Sequence, residues 1–256
     1  MPGPGGAREH VAMTLTAPPL PRRLAAEAVG TAALAAVVVG SGIRAGALSQ
    51  DAGVQLLANV TASALALVVL ISVLGPVSGG HFNPLVSAAA WWTERHTGTG
   101  LTVRELGGYA GAQLAGAVAG TGLANVMFER PFLEVSARAR DGAHLWLAEA
   151  VATGVLVLLV LGLVRSGRGA FVPVAVGLWI AAACWATSSG AFANPAVTVA
   201  RMFTGSGTGI AAGSVPPFVL AQLVGAAAGV ALLPVLFGRP ARPAAVPDDA
   251  RELIAG

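Results

Sequence analysis

The chain has no lysine, one cysteine and one tyrosine, and only 11% of its 256 residues are charged. The single cysteine, Cys184, excludes an internal disulfide framework. The scarcity of charge excludes an ordinary soluble domain, in which about a quarter of residues are charged. The absent lysine qualifies the net charge of +3 and the pI near 10.4. Every basic residue is an arginine, and the arginines are scattered between apolar blocks instead of forming a patch. That pattern argues against a nucleic-acid partner and for a membrane protein, where scattered arginine sets orientation. The four histidines stand at no metal spacing with Cys, Asp or Glu, and no glycine-rich phosphate loop follows a strand. The sequence thus offers no catalytic set, no metal site and no cofactor site, and it does not read as an enzyme.

What the chain does have is apolar residues, 55% of the total, in blocks of the roughly 20 residues that cross a bilayer. Spans are expected near 24–43, 53–76, 105–128, 145–164, 170–188 and 216–237. The expected fold is therefore an all-α membrane protein, with the lipid bilayer as its surroundings. Residues 1–21 and 239–256 are rich in Pro and Ala and read as disordered tails. Arg22 and Arg23 before an apolar run could pass for a secretory signal, but five further spans favour a retained first helix.

Two stretches do not suit a membrane: "SGGHFNPLVS" at 78–87 and "SGAFANPAVT" at 189–198. Each follows a span and precedes a short apolar run, Leu85 to Trp92 and Ala196 to Phe203. Nine or ten helical residues reach about 14 Å, half of a ~30 Å hydrocarbon core, so these runs read as re-entrant half-helices. The chain also repeats itself in order. "AEAVGT" at 26–31 returns as "AEAVAT" at 148–153, and "AQLAGAVAG" at 112–120 returns as "AQLVGAAAG" at 221–229. Each half (22–128 and 145–238, joined by an outer loop at 129–144) then holds three spans and one half-helix. An odd number of spans makes the halves inverted, and paired interruptions in inverted halves point to a midplane site. With both termini cytoplasmic, ten arginines lie inside and five outside, in keeping with the positive-inside rule.

Asn is a strong N-cap and Pro suits the next position, so Asn83-Pro84 and Asn194-Pro195 each read as a helix start. Inversion brings the two starts face to face. With the Asn oxygens spent on capping, their NH₂ groups are expected to be free to donate between them. Each helix start adds roughly half a positive charge. Neutral solutes with oxygen lone pairs can pass such a place, while cations meet a barrier. The irregular backbone before each Asn is tolerable only along a wet cavity. The carbonyls of Gly79, Gly80 and His81, and of Gly190, Ala191 and Phe192, are the expected acceptors for a permeating solute.

On these residues the chain resembles the aquaporin and aquaglyceroporin (major intrinsic protein) family over about 22–238. The resemblance rests on the two Asn-Pro motifs at inverted positions together with the Ala-Glu and Ala-Gln-Leu segments. It implies a right-handed six-helix bundle, a homotetramer with one pore per subunit in the cell membrane, and passive flux of small uncharged solutes and water. It implies motif residues Asn83, Pro84, Leu85, Asn194, Pro195 and Ala196. It also implies a selectivity filter at Ser63, Cys184, Ala191 and Val197, with Ala182 or Ala183 as alternatives in the fifth span.

The chain departs from the family in two places. Leu85 stands where Ala is usual, which reads as a packing change. Val197 stands where the family's filter has Arg, and Arg201 lies one turn further on with its backbone misplaced for the filter. The expected constriction is small and uncharged, wide enough for polyols, urea or undissociated metalloid acids. Filters without this Arg resemble those of bacterial channels associated with arsenic resistance, which adds arsenite and methylated arsenicals. A strict water channel is the alternative.

Glu27 and Glu149 lie inside spans, where a carboxylate is by default functional. In a proton-coupled transporter they would form a relay. The resemblance instead implies that they are structural, accepting bonds from the re-entrant loops. Gln113 and Gln222 are expected to bond neighbouring helices, and His81 to bond its own loop. Cys184 reads as a small packing residue. Trp91 and Trp92 read as a boundary anchor, and Gly107/Gly111, Gly116/Gly120 and Gly225/Gly229 as close-approach pairs.

Overall fold

A computed structural model describes residues 18–95 and 100–238. The expected tails lie outside the described residues except for 18–21, and so do Arg8, Arg239, Arg242 and Arg251. Among the described residues there are eight α-helices and no strand. They are α1 (Leu20–Leu48), α2 (Ala52–Ser78), α3 (Pro84–Glu94), α4 (Val103–Met127), α5 (Ala143–Arg165), α6 (Val172–Ala186), α7 (Pro195–Ala200) and α8 (Val215–Phe237). Short 3-10 turns precede α6 and α8, and another, Arg201–Phe203, continues α7.

Local chemistry sets the boundaries. Asp51 caps α2 by accepting from Val54 N at 2.8 Å. Thr102 and Glu105 form a reciprocal capping box at the start of α4. Gly79, at φ 95°, ends α2 in the left-handed region. The short α3 and α7 begin where expected, each directly after an Asn-Pro junction.

Five helical stretches are long and apolar enough to cross a membrane: Leu20–Leu48, Ala52–Ser78, Ala143–Arg165, Gly169–Ala186 and Ala212–Phe237. The sixth expected span, α4, is long enough but less apolar, because it holds six glycines together with Gln113 and Asn125. Both polar side chains are fully buried, so α4 turns its polarity inward. The outer surface is the reverse of a soluble protein's. Leu57, Leu65, Val69 and Val73 on α2, and Leu220 and Val224 on α8, are each more than half exposed.

The α1–α4 and α5–α8 pairs make the largest helix contacts. A Cβ on Gly116 would stand 2.2 Å from the Ala28 carbonyl oxygen, and one on Gly120 2.0 Å from that of Ala32. Gly225 and Gly229 stand equally close to the carbonyls of Ala150 and Gly154. These contacts are backbone against backbone and exist only because a side chain is missing. Gly107 and Gly111 do not act this way: nothing lies within 4 Å of where their Cβ atoms would be. They are exposed, because they sit on the face of α4 turned away from α1. Gly120→Leu is expected to destabilise the protein by about 3 kcal/mol or more through overpacking, whereas Gly111→Ala should leave it within about 0.5 kcal/mol. Thermal unfolding in detergent distinguishes the two.

Candidate functional site

The two Asn-Pro segments are built alike. Asn83 has extended backbone at φ −153°, and its Oδ1 accepts from Leu85 N at 3.0 Å, with Pro84 beginning α3. Asn194, at φ −156°, accepts from Ala196 N at 3.0 Å and Val197 N at 3.3 Å, with Pro195 beginning α7. The side-chain amides are not wholly free, as the capping argument expected. Asn83 Nδ2 donates to the Ala193 carbonyl and Asn194 Nδ2 to the Phe82 carbonyl, each at 2.7 Å. Each NH₂ carries two hydrogens, so one is spent on the opposite segment and one is left.

These bonds fall on strained backbone. Phe82, Ala191 and Ala193 all lie at φ 47°, a region that costs a non-glycine residue about 1–3 kcal/mol. Buried carboxylates hold two of these residues, Phe82 and Ala193, from behind, while Ala191 N donates to Ser189 Oγ at 3.1 Å. Glu27 accepts from Ser78 Oγ at 2.6 Å, His81 N at 3.0 Å, Phe82 N at 2.7 Å and Gln113 Nε2 at 2.7 Å. Glu149 accepts from Phe192 N at 2.8 Å, Ala193 N at 2.9 Å and Gln222 Nε2 at 2.7 Å. Gln113 also donates to Ser87 Oγ and Gln222 to Thr198 Oγ1, tying each carboxylate to a short helix, α3 or α7. The His81 ring bonds forward to Ser87 Oγ of α3 at 3.0 Å, not within its own loop, and tilts against Tyr109.

A cavity of about 490 Å³ reaches the two asparagines. Ser63, Cys184, Ala191 and Val197 all line it, brought together from α2, α6, the loop between α6 and α7, and α7. Ala183 is instead fully buried in the core, and Ala182 is not among the lining residues. Leu34, Leu67, Leu156 and Ile180 form an apolar wall. Gly190 and Phe192 also line it, although the Gly190 carbonyl accepts from Cys184 Sγ at 3.3 Å. Gly79, Gly80 and His81 do not line this cavity. Leu85 and Ala196 point into the packed core, Leu85 against Val157 and Leu233 and Ala196 against Ala35 and Ala117.

The wall is not uncharged. Arg201 is 8% exposed and lines the cavity one turn after Val197. Its guanidinium carbon lies 3.4 Å from the Phe192 ring centroid, and its Nε donates to the Thr208 carbonyl at 2.5 Å. The backbone of Arg201 starts one turn past Val197, and its long side chain, anchored on an aromatic face, reaches the cavity all the same. Arg138 and Arg140, in the loop between α4 and α5, line the same cavity. Burial first, and then the neighbouring Arg138 charge, pulls Arg140 down to about 10, which still leaves it cationic at neutral pH. The only sequence signal for this pair was the Arg-Ala-Arg run itself. Asn59, a further lining residue, donates to the Val38 carbonyl at 2.7 Å and to Ser41 Oγ at 2.8 Å. Its place in an apolar span was the available clue.

Glu149→Gln keeps the volume but turns one acceptor into a donor facing backbone N–H groups. It should cost about 3 kcal/mol, read as a lowered unfolding temperature in detergent. Gln222→Glu, which sets a second carboxylate against Glu149, should cost at least as much.

Comparison with known proteins places this geometry in context. The Major intrinsic protein family profile matches residues 14–186 and 136–252. The chain is 49% identical over 224 residues to aquaglyceroporin AqpS of Rhizobium meliloti (strain 1021), covering 88% of this chain and 93% of that one. It is 29% identical over 229 residues to Nodulin-26 of Glycine max, covering 84% and 78%. In fold it is similar to the X-ray structure of the aquaglyceroporin from Plasmodium falciparum, with a TM-score of 0.66 at 21% identity over 84% of this chain and 95% of that one.

Proposed function

The chain belongs to the major intrinsic protein family, whose members are channels and not enzymes, and on that premise we propose that it is a passive channel for water and small uncharged solutes. It is a multi-pass membrane protein. The observation that carries the reading is the reciprocal Asn83–Ala193 and Asn194–Phe82 pairing beside a cavity, within a bundle whose outer surface is apolar. A solute that reaches the pair meets one unspent amide N–H from each asparagine and two electropositive helix starts, which favour oxygen lone pairs over cations.

In this reading α1, α2, α4, α5, α6 and α8 are six crossings, and α3 and α7 are half-crossings entering from opposite faces. Residues 22–128 and 145–238 form inverted repeats around a connecting loop at 129–144, with 1–21 and 239–256 as cytoplasmic tails in the cell membrane. The matching carboxylate networks behind the two loops support the repeat. The exposed apolar faces of α2 and α8 suit lipid and the homotetramer that the family resemblance implies.

Ser63, Cys184, Ala191 and Val197 form the filter in this reading, and Arg201 supplies the cationic wall from one turn further on. Three of those side chains are smaller than Val197, which leaves room for glycerol-type polyols, urea and undissociated metalloid acids such as arsenite and methylated arsenicals. A strict water channel would need a bulkier ring of side chains at these positions. A proton relay would need a carboxylate that can release its partners, whereas Glu27 and Glu149 each accept from two backbone N–H groups, one of them on a strained residue, Phe82 or Ala193.

Stopped-flow light scattering on proteoliposomes tests this with water, glycerol, urea and arsenite in turn. Non-saturating flux with a low activation energy is expected, and a saturable, proton-driven uptake would end the channel reading. Val197→Arg should cut glycerol and arsenite flux by ~tenfold or more, a barrier rise of about 1.4 kcal/mol, while water flux persists. Mercurials should block the wild type and spare Cys184→Ser.

A further inference from the structure

The cavity wall carries three guanidinium groups and, among the described residues, no carboxylate. Arg138, Arg140 and Arg201 form no ion pair with any described residue. The two ion pairs found there are Arg23–Glu105 and Arg130–Glu134. Arg140 and Arg201 share one aromatic ring: their guanidinium carbons lie 5.0 Å and 3.4 Å from the Phe192 centroid. Backbone carbonyls fix both without neutralising either. Arg201 Nε donates to Thr208, Arg140 Nε to Gly209 at 2.9 Å, and Arg140 Nη2 to Gly207 at 3.2 Å. Neither Nη of Arg201, nor Nη1 of Arg140, has a protein partner among the described residues, although Arg201 is more than nine-tenths buried.

Like charges held this close repel one another, and a low-dielectric wall strengthens that repulsion. Rigid forks with unspent N–H donors match an anion bearing two or more oxygens, which each fork can bind through paired bonds. We propose that the mouth bordered by Arg138, Arg140 and Arg201 is a binding site for a small oxyanion, held chiefly by the Arg140 and Arg201 forks. The anion neutralises the pair and sits on the route to Val197 and the asparagines. The same forks donate to a neutral oxyacid more weakly, so the mouth gathers weak oxyacids in both forms. The site does not depend on conduction.

The test is equilibrium dialysis of the detergent-purified full chain against radiolabelled inorganic phosphate at low chloride. One saturable site per chain is expected, weakened ~tenfold or more by Arg140→Gln and by Arg201→Gln, and partly retained in Arg201→Lys, which keeps charge but loses the fork. Arg44→Gln, which does not line this cavity, should bind as the wild type does. If Arg201→Gln does not fold, Arg140→Gln decides alone, since its loop lies outside the helices. Non-saturable uptake, an adventitious ion only, or wild-type affinity in Arg140→Gln overturns the proposal. Reconstitution in neutral and then in anionic lipid separates a free ion from a lipid headgroup. Phosphate affinity is expected to be equal in both, and its loss in anionic vesicles would overturn the assignment to a free ion. A null result in dialysis leaves solute flux untouched, so the two readings fail separately.

Discussion

Two Asn-Pro segments meet in the interior, where each lends a side-chain amide to the other's backbone: Asn83 to Ala193, and Asn194 to Phe82. The carbonyl acceptors belong to residues in a conformation that side chains disfavour, so these bonds cannot be considered apart from the strain they oppose. Phe82 is gripped three times, with its N–H on Glu27, its carbonyl on Asn194 and its ring against Gly30 of α1, where a Cβ would stand 2.0 Å from the ring. Ala193 is gripped in the same manner by Glu149 and Asn83. Hydrogen bonds to a carboxylate contribute about 1.5–3 kcal/mol each, the same order as the cost of about 1–3 kcal/mol for each strained residue they hold.

The rest of the bundle supports that junction. Gln113 of α4 can reach Glu27 of α1 because the two helices touch through Gly116 and Gly120. Glu149 stands in the same relation to α8 through Gly225 and Gly229 and to Gln222. Small residues at the helix contacts thus serve the polar core: they shorten the distance across which buried donors and acceptors must meet. Beside this framework the cavity wall combines aliphatic side chains with backbone-anchored arginines, a mixture that suits oxygen-bearing solutes better than hydrocarbons or cations.

Much of this was legible in the residues. The apolar blocks located the long helices to within a few positions, and the Asn-Pro junctions located both short ones, since capping is a local matter of one side chain and the next turn. The duplicated Ala-Glu and Ala-Gln-Leu segments marked the buried partners. Less legible was α4, whose glycines and buried amides lower its hydropathy although they face inward. The exposed Gly107 and Gly111 imitate the spacing of the contact pairs without making a contact, because spacing does not say which face of a helix meets a neighbour.

Composition and pattern by themselves determined that the chain is helical, that it belongs in a bilayer, and where its two interrupted segments begin, because hydropathy, caps and proline geometry act over a few neighbouring residues. The tertiary structure alone decided which groups face one another. It set the asparagine amides on the opposite loop's carbonyls, chose Cys184 over Ala182 and Ala183 for the cavity wall, and carried the Arg201 and Arg140 guanidinium groups to the ring of Phe192. Those outcomes depend on where long side chains end and which helix faces meet, distances that a linear spacing does not contain.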